Sequence, residues 1–163
     1  MQQRPREIGS AIFLGGLIAA AVDIGAACLI TGRSPVFITQ VIAGGLLGNA
    51  TFDGGTGTVI LGALLQEAMG VLIAAIYVVG LLKPVPALLR QWIPSGLVYG
   101  VIIFFVMNYV VVPLSAWKSA AHFTPVKFAA NMAAMLVFGL IVAFFCRHLV
   151  SAQPVQNEST ATA

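Results

Sequence analysis

The most constraining feature of the sequence is a series of long apolar runs, each about the length that a helix needs to cross a bilayer. A membrane-spanning helix takes about 20 consecutive apolar residues. Four runs reach that length, at residues 10–30, 58–82, 96–116 and 126–146. Short segments that contain proline, arginine or lysine separate them. The pattern predicts an all-α polytopic membrane bundle with four transmembrane helices, forming one domain over residues 10–148.

Composition excludes a soluble domain. Of the 163 residues, 60% are hydrophobic and only 8% are charged, and the mean hydropathy is +1.00. Soluble domains average about 25% charged residues, and a chain of this size keeps much of its surface in contact with solvent. The predicted partner is therefore the lipid bilayer. A net charge of +3 is too small to indicate nucleic-acid binding.

A shorter apolar segment at residues 35–48 does not reach spanning length. Ser34 and Pro35 before it are typical of a capped helix start, with proline at the first helical position. The sequence predicts a short helix between the first and second spans. This helix either re-enters the membrane or lies flat at its interface, and the sequence leaves both arrangements open.

A glycine-rich break follows, formed by Asp53, Gly54, Gly55, Thr56 and Gly57. Glycine permits positive φ and exposes backbone groups, so such a break suits either a tight turn or an ion site at the start of a helix. The break lacks the lysine of a phosphate loop and the spaced acids of a calcium loop. We favour the turn, and we expect no cofactor and no metal site.

The distribution of basic residues predicts the orientation. With four spans both termini lie on one side of the membrane, and cytoplasmic segments carry the excess of Lys and Arg. The terminal side would hold five basic residues and the other side three: Arg4, Arg6, Lys83, Arg90 and Arg147 against Arg33, Lys118 and Lys127. We therefore expect a cytoplasmic N-terminal tail at residues 1–9 and a disordered C-terminal tail at residues 149–163.

A cleaved signal peptide is the alternative for the first span, with Ala19-Ala20-Ala21 as its cleavage site. The apolar run continues past these alanines to Ile30. This length favours a retained transmembrane helix. In the third span, Pro113 predicts a kink or an early end, and Trp92 and Trp117 bracket the span as an interfacial aromatic belt does.

Each span contains a polar residue that is costly in lipid. These residues are Asp23, Gln66, Glu67, Asn108 and Asn131. Most of them fall in four-residue repeats with Gly or Ala, and such repeats place residues on one face where membrane helices pack. At 1.5 Å per residue, their depths cluster between the midplane and the outer surface. We therefore predict a polar pocket in the outer half of the bundle.

Two interpretations of this pocket remain open. Asp23 and Glu67 are either protonatable carboxylates in a transport path or structural groups that join helices by hydrogen bonds. The first predicts a small transport, permeation or proton-linked component that acts on a small solute or a proton, and it is compatible with a homo-oligomer. The second predicts a non-catalytic structural or accessory protein that supports a membrane complex or envelope stress tolerance. No catalytic residue is assigned, since the sequence contains no G-x-S-x-G elbow.

Several short motifs resemble a group of small bacterial inner-membrane proteins without an established activity and, more distantly, the YagU type. These motifs are Arg33-Ser34-Pro35, Ile42-Ala43-Gly44-Gly45-Leu46-Leu47-Gly48, Phe52-Asp53-Gly54-Gly55, Met107-Asn108 and Val112-Pro113-Leu114-Ser115-Ala116. The resemblance implies a bacterial inner-membrane location and supplies no functional residue. Such proteins often have a histidine near the position of Gln66, where this chain departs from them.

Overall fold

A computed structural model describes residues 5–82, 84–118 and 124–150. Within these ranges the chain is helical and contains no strand, which confirms the predicted all-α class. Five helical segments are long and apolar enough to cross a membrane, one more than the four predicted spans. They are Ile8–Thr31, Pro35–Asp53, Gly55–Leu82, Trp92–Leu114 and Pro125–Leu149.

The α-helices are α1 (Pro5–Thr31), α2 (Pro35–Leu47), α3 (Gly55–Ile76), α4 (Trp92–Val106), α5 (Val112–Leu114) and α6 (Pro125–Val150). Helix α1 begins inside the segment predicted as an N-terminal tail, and α6 extends two residues into the predicted C-terminal tail. The rest of that C-terminal tail, residues 151–163, lies outside the described residues. The first four residues of the N-terminal tail lie outside them as well.

The segment Pro35–Asp53 doubles back on itself and does not form one straight rod. Helix α2 is capped at its start by Ser34, whose side chain accepts a hydrogen bond from the backbone N–H of Phe37, and at its end by Gly48, where φ is 62°. A 3₁₀ turn, Gly48–Asp53, then returns along α2. Its Phe52 ring lies 5.7 Å from the Phe37 ring, whereas 15 residues of straight helix would separate them by about 22 Å. We call Pro35–Asp53 the hairpin.

The bundle is built around α1, which packs against α3 on one side and α6 on the other. Helix α4 packs against α6, and the hairpin packs against α3. Small residues permit these approaches. A Cβ added at Gly16 would lie 2.6 Å from the Cα of Val71, and one at Gly100 would lie 2.5 Å from the carbonyl oxygen of Met135. The backbones of these helix pairs are therefore in direct contact, as the small-residue faces predict.

Two π-helical stretches lie next to prolines. Tyr77–Leu82 prolongs α3 ahead of Pro84, and Met107–Val111 joins α4 to α5, which contains Pro113. Proline removes an N–H donor and its ring displaces the carbonyl four residues earlier, so the backbone there shifts to wider hydrogen-bonded turns. The predicted effect of Pro113 thus appears as a change of helix type followed by an end at Leu114.

Candidate functional site

The central polar contact joins α1 to α3. The Gln66 side-chain amide donates to the Asp23 carboxylate over 3.0 Å and also approaches the carbonyl oxygen of Ala20, at 3.4 Å. The helices come this close because Gly70 faces α1 without a side chain, and a Cβ there would lie 2.7 Å from that of Ala20. Two of the five predicted pocket residues are therefore brought together in the bundle interior.

Glu67 occupies a different position from the one expected. Successive helix residues point about 100° apart, so Glu67 lies to one side of the α3 face that bonds to Asp23. Its neighbours one turn away are Leu64, which is 64% exposed, and Val71, which is half-buried. Glu67 is therefore at the border between the α1 contact and the outer surface of α3, and it does not pair with Asp23.

One oxygen of Glu67 has an unusual environment. Its Oε2 atom is buried and has no hydrogen-bond partner among the residues that the structure describes. In a bilayer interior no bulk water is present to supply such a partner, and an unsatisfied polar group there costs several kcal/mol. Among the described residues, this oxygen is the one buried side-chain polar atom without a partner, and it belongs to a side chain that is itself only half-buried.

The two asparagines do not join this contact. Asn108 is 8% exposed, and its side-chain amide donates to the carbonyl oxygen of Phe104 in its own helix, at 2.8 Å. Asn131 on α6 is half-buried. Since Gly100 lies against Met135 in the antiparallel α4–α6 pair, both asparagines lie nearer the hairpin end than that contact. Within residues 5–82, 84–118 and 124–150, neither bonds to Asp23, Gln66 or Glu67.

The glycine-rich break forms the tight turn into α3. Gly55 has a φ of 52° and opens the helix, and Asp53, Gly54, Thr56 and Gly57 are exposed. Thr58, buried behind the turn, donates to the carbonyl oxygen of Thr51 at 2.7 Å. The tight turn therefore accounts for the glycine-rich break, because the backbone needs glycine at Gly55 and the turn is closed by the hydrogen bond from Thr58.

Sequence reasoning missed the polar contacts at the two ends of the bundle. At the hairpin end, Thr51 donates to the carbonyl oxygen of Gln40 at 2.8 Å and Trp117 donates to that of Val41 at 3.1 Å. The ring of Trp117, which is predicted to lie at the membrane interface, packs over Gly44. An indole N–H buried near apolar helices needs an acceptor. This need was the feature of the sequence that could have indicated the contact.

At the opposite end, two tyrosines bridge α3 and α4. The Tyr77 hydroxyl is hydrogen-bonded to the Ser95 hydroxyl, and the Tyr99 hydroxyl donates to the carbonyl oxygen of Ile73 at 2.6 Å. Both tyrosine side chains are almost fully buried. Hydrogen-bonded aromatic side chains thus lie at both ends of the bundle, with the Asp23–Gln66 contact between them.

Comparison with known proteins adds no assignment. No family model, curated protein or solved structure matches the chain. Across the described residues, no group of three or more His, Cys, Asp or Glu side chains is arranged to hold a metal ion. The function must therefore be inferred from the geometry of the chain itself.

Proposed function

We propose that this protein is a small transport, permeation or proton-linked component of the bacterial inner membrane, with an outer-half polar site. The observation that supports this function best is the buried Glu67 oxygen, which has no hydrogen-bond partner among the described residues and lies one residue along α3 from the Asp23–Gln66 hydrogen bond. Ionisable residues inside membrane spans are rare and commonly mark ion or proton pathways.

Four spans and a re-entrant hairpin are part of the same proposal. The stacking of Phe37 on Phe52 supports a hairpin that enters and leaves on one side, so it adds no crossing. Both termini then share a side, and the excess of basic residues there supports a cytoplasmic location. The motif resemblance to small bacterial inner-membrane proteins of the YagU type supports the inner membrane. Cysteines introduced at Thr56 and near the termini, labelled from outside intact cells, test this topology.

The function is tested by proton and solute flux in liposomes that contain the purified protein. Three variants make the same chemical change, from carboxylate to amide: Glu67→Gln, Asp23→Asn and Asp53→Asn. Asp53 lies in the exposed turn and serves as the matched control. We expect a pH-dependent flux in the wild-type protein and in Asp53→Asn, and its loss in Glu67→Gln.

Asp23→Asn separates two roles of the inner carboxylate. An asparagine keeps an oxygen that accepts from Gln66, so the α1–α3 contact persists while the ionisable group is removed. Loss of flux in this variant places Asp23 in the path. Retained flux assigns it to positioning Gln66, and equal flux in Glu67→Gln and wild type refutes the proposed role of Glu67.

A second candidate is the structural or accessory role. The direct backbone contacts at Gly16 and Gly100 favour it, because they close the α1–α3 and α4–α6 interfaces without leaving space between the helices. Absence of flux in every sample, together with lower thermal stability of both Asp23→Asn and Glu67→Gln, would support this role. The relevant assay would then be growth of a deletion strain under envelope stress.

A further inference from the structure

The hairpin is positioned over the outer approach to the Asp23–Gln66 contact. Gly62 and Gln66 are four residues apart and lie on the same face of α3. Gly62 packs against the backbone of Thr39 in α2, so closely that a Cβ would overlap the Thr39 carbonyl. The hairpin therefore covers the face of α3 one helical turn, about 5 Å, from Gln66.

Residues that follow α5, far from the hairpin in the sequence, bind to it. After α5, the backbone N–H of Ala116 donates to the carbonyl oxygen of Gly45 at 2.8 Å. The Trp117 indole donates to the carbonyl oxygen of Val41 and its ring lies on Gly44 and 6.2 Å from the Phe52 ring. Residues 115–117 thus donate hydrogen bonds to the incoming helix of the hairpin and contact its return through the Phe52 ring. We call residues 115–117 the latch.

The latch is attached to a segment of irregular helix. Between the tightly packed start of α4 and the latch lie the π-helix Met107–Val111 and Pro113. π-Helical insertions in α-helices are frequent at functional sites, and a proline-containing segment has fewer backbone hydrogen bonds to hold it. The start of α4 is packed against α6 at Gly100, and the latch follows the irregular segment after Val106.

From this arrangement we propose that the latch controls water access to the Asp23–Gln66 contact by holding the hairpin closed. When Trp117 leaves Gly44 and Val41, the hairpin separates from α3 at Gly62 and exposes the outer end of the polar site. The inference rests on the proposed transport function, since access to that site then limits flux.

The first test measures access without measuring flux. In a background without Cys28 and Cys146, Ala27→Cys places a reporter on the α1 face of Asp23, one turn nearer the hairpin. A membrane-impermeant maleimide is applied to proteoliposomes. We expect labelling of this cysteine to rise roughly fivefold to tenfold in Trp117→Ala, as loss of a hydrogen bond and its packing shifts a two-state population. Trp117→Phe keeps the ring and should give a smaller rise.

Two matched variants test the latch with Trp117 retained. A Cβ at Gly44 would collide with the Trp117 ring, whereas one at Gly45 would lie 3.9 Å from the Cβ of Ser115, an ordinary contact. Gly44→Ala should therefore raise labelling and Gly45→Ala should not. Leu29→Cys, near the end of α1 at a side chain that is 87% exposed, is the reporter whose labelling should stay constant. Unchanged labelling of Ala27→Cys in both Trp117→Ala and Gly44→Ala would overturn the latch.

A disulfide can lock the same contact. The separation of 3.9 Å between a Cβ at Gly45 and that of Ser115 lies within the range of disulfides, roughly 3.5–4.5 Å. In Gly45→Cys/Ser115→Cys, we expect oxidation to reduce flux about tenfold and reduction to restore it, since a closed state held covalently no longer exchanges. Full cross-linking with unchanged flux would overturn gating by the latch.

Failure of the latch and failure of the transport proposal give different results. If labelling of Ala27→Cys rises in the latch variants but no sample shows flux, the latch is supported and transport is refuted. The opposite result is loss of flux in Glu67→Gln, with neither the disulfide nor Trp117→Ala changing flux or labelling. That result supports the transport proposal and refutes the latch.

Discussion

The bundle and the hairpin are held together by different interactions. In the bundle, α1 meets α3 at Gly16 and α4 meets α6 at Gly100, with backbone against backbone. In the hairpin, the Thr51 hydroxyl and the Trp117 indole donate to backbone carbonyl oxygens of α2, those of Gln40 and Val41. Contact between the bundle helices depends on the absence of a side chain at these glycines, whereas the hairpin contacts depend on side-chain hydrogen-bond donors.

This difference follows from lipid as the solvent. Between membrane helices there is no hydrophobic driving force, so close van der Waals contact at small residues supplies the association. Irregular backbone cannot face lipid with unpaired carbonyls, so the reversing chain of the hairpin needs donors from elsewhere in the protein. The bundle interfaces therefore depend on backbone contact at glycines, and the hairpin is held by a few side-chain hydrogen bonds.

The largest expected effect is on the bundle. In Gly16→Ala the new methyl group meets the backbone of Val71 and Gly70, which cannot rotate away, and overpacking of this kind costs about 1–3 kcal/mol. Gly25→Ala is the control in the same helix, because nothing lies within 4 Å of a Cβ there. Thermal unfolding in detergent micelles should show a lower midpoint for Gly16→Ala only. Equal shifts in both variants would contradict backbone contact at Gly16.

A smaller and more local effect is expected in the hairpin. Thr51→Val keeps the shape of the side chain but removes the donor to the Gln40 carbonyl, a loss of about 1 kcal/mol. Hydrogen exchange in nanodiscs should increase in residues 35–53 and stay unchanged in α4 and α6. Thr56→Val, at an exposed position of the turn, should have no effect. Faster exchange throughout the bundle would show that the hairpin does not open separately.

The smallest expected effect is at the polar contact between α1 and α3. Gln66→Met retains the length of the side chain and removes its donation to Asp23. Interhelical hydrogen bonds in membranes average only about 0.6 kcal/mol, so the contact should contribute little to stability. A double-mutant cycle of Gln66→Met and Asp23→Leu measures this coupling directly. A coupling near 3 kcal/mol would assign the pair to structure and weaken the transport proposal.

Much of the helical pattern was predictable because it is local. The small-residue repeat in α3 predicted an inward face, and Gly62, Gly70 and Ala74 are buried there. The short helix predicted at residues 35–48 is observed as Pro35–Leu47. Hydropathy and period depend only on neighbours in the chain, so the sequence contains this information directly.

The polar site was predictable only in part. Spacing predicted that Asp23 and Gln66 face the bundle interior, where the structure brings them into contact. The pairing of Asp23 with Gln66 was not predictable, because the next residue along α3, Glu67, carries an ionisable group and was an equally good candidate. Which of the two faces α1 depends on the rotation of α3, and that rotation is set by the contact of Gly70 with α1.

The sequence by itself determined that lipid is the solvent, where the helices run and which of their faces lack bulky side chains. Tertiary structure decided the partner of Asp23, the exclusion of Glu67 from that contact and the docking of Trp117. Trp117 and the Val41 carbonyl are 76 residues apart, so no local pattern relates them. Hydrogen bonds depend on ångström-scale register between packed elements, and that register exists only once the glycine contacts have brought the helices together.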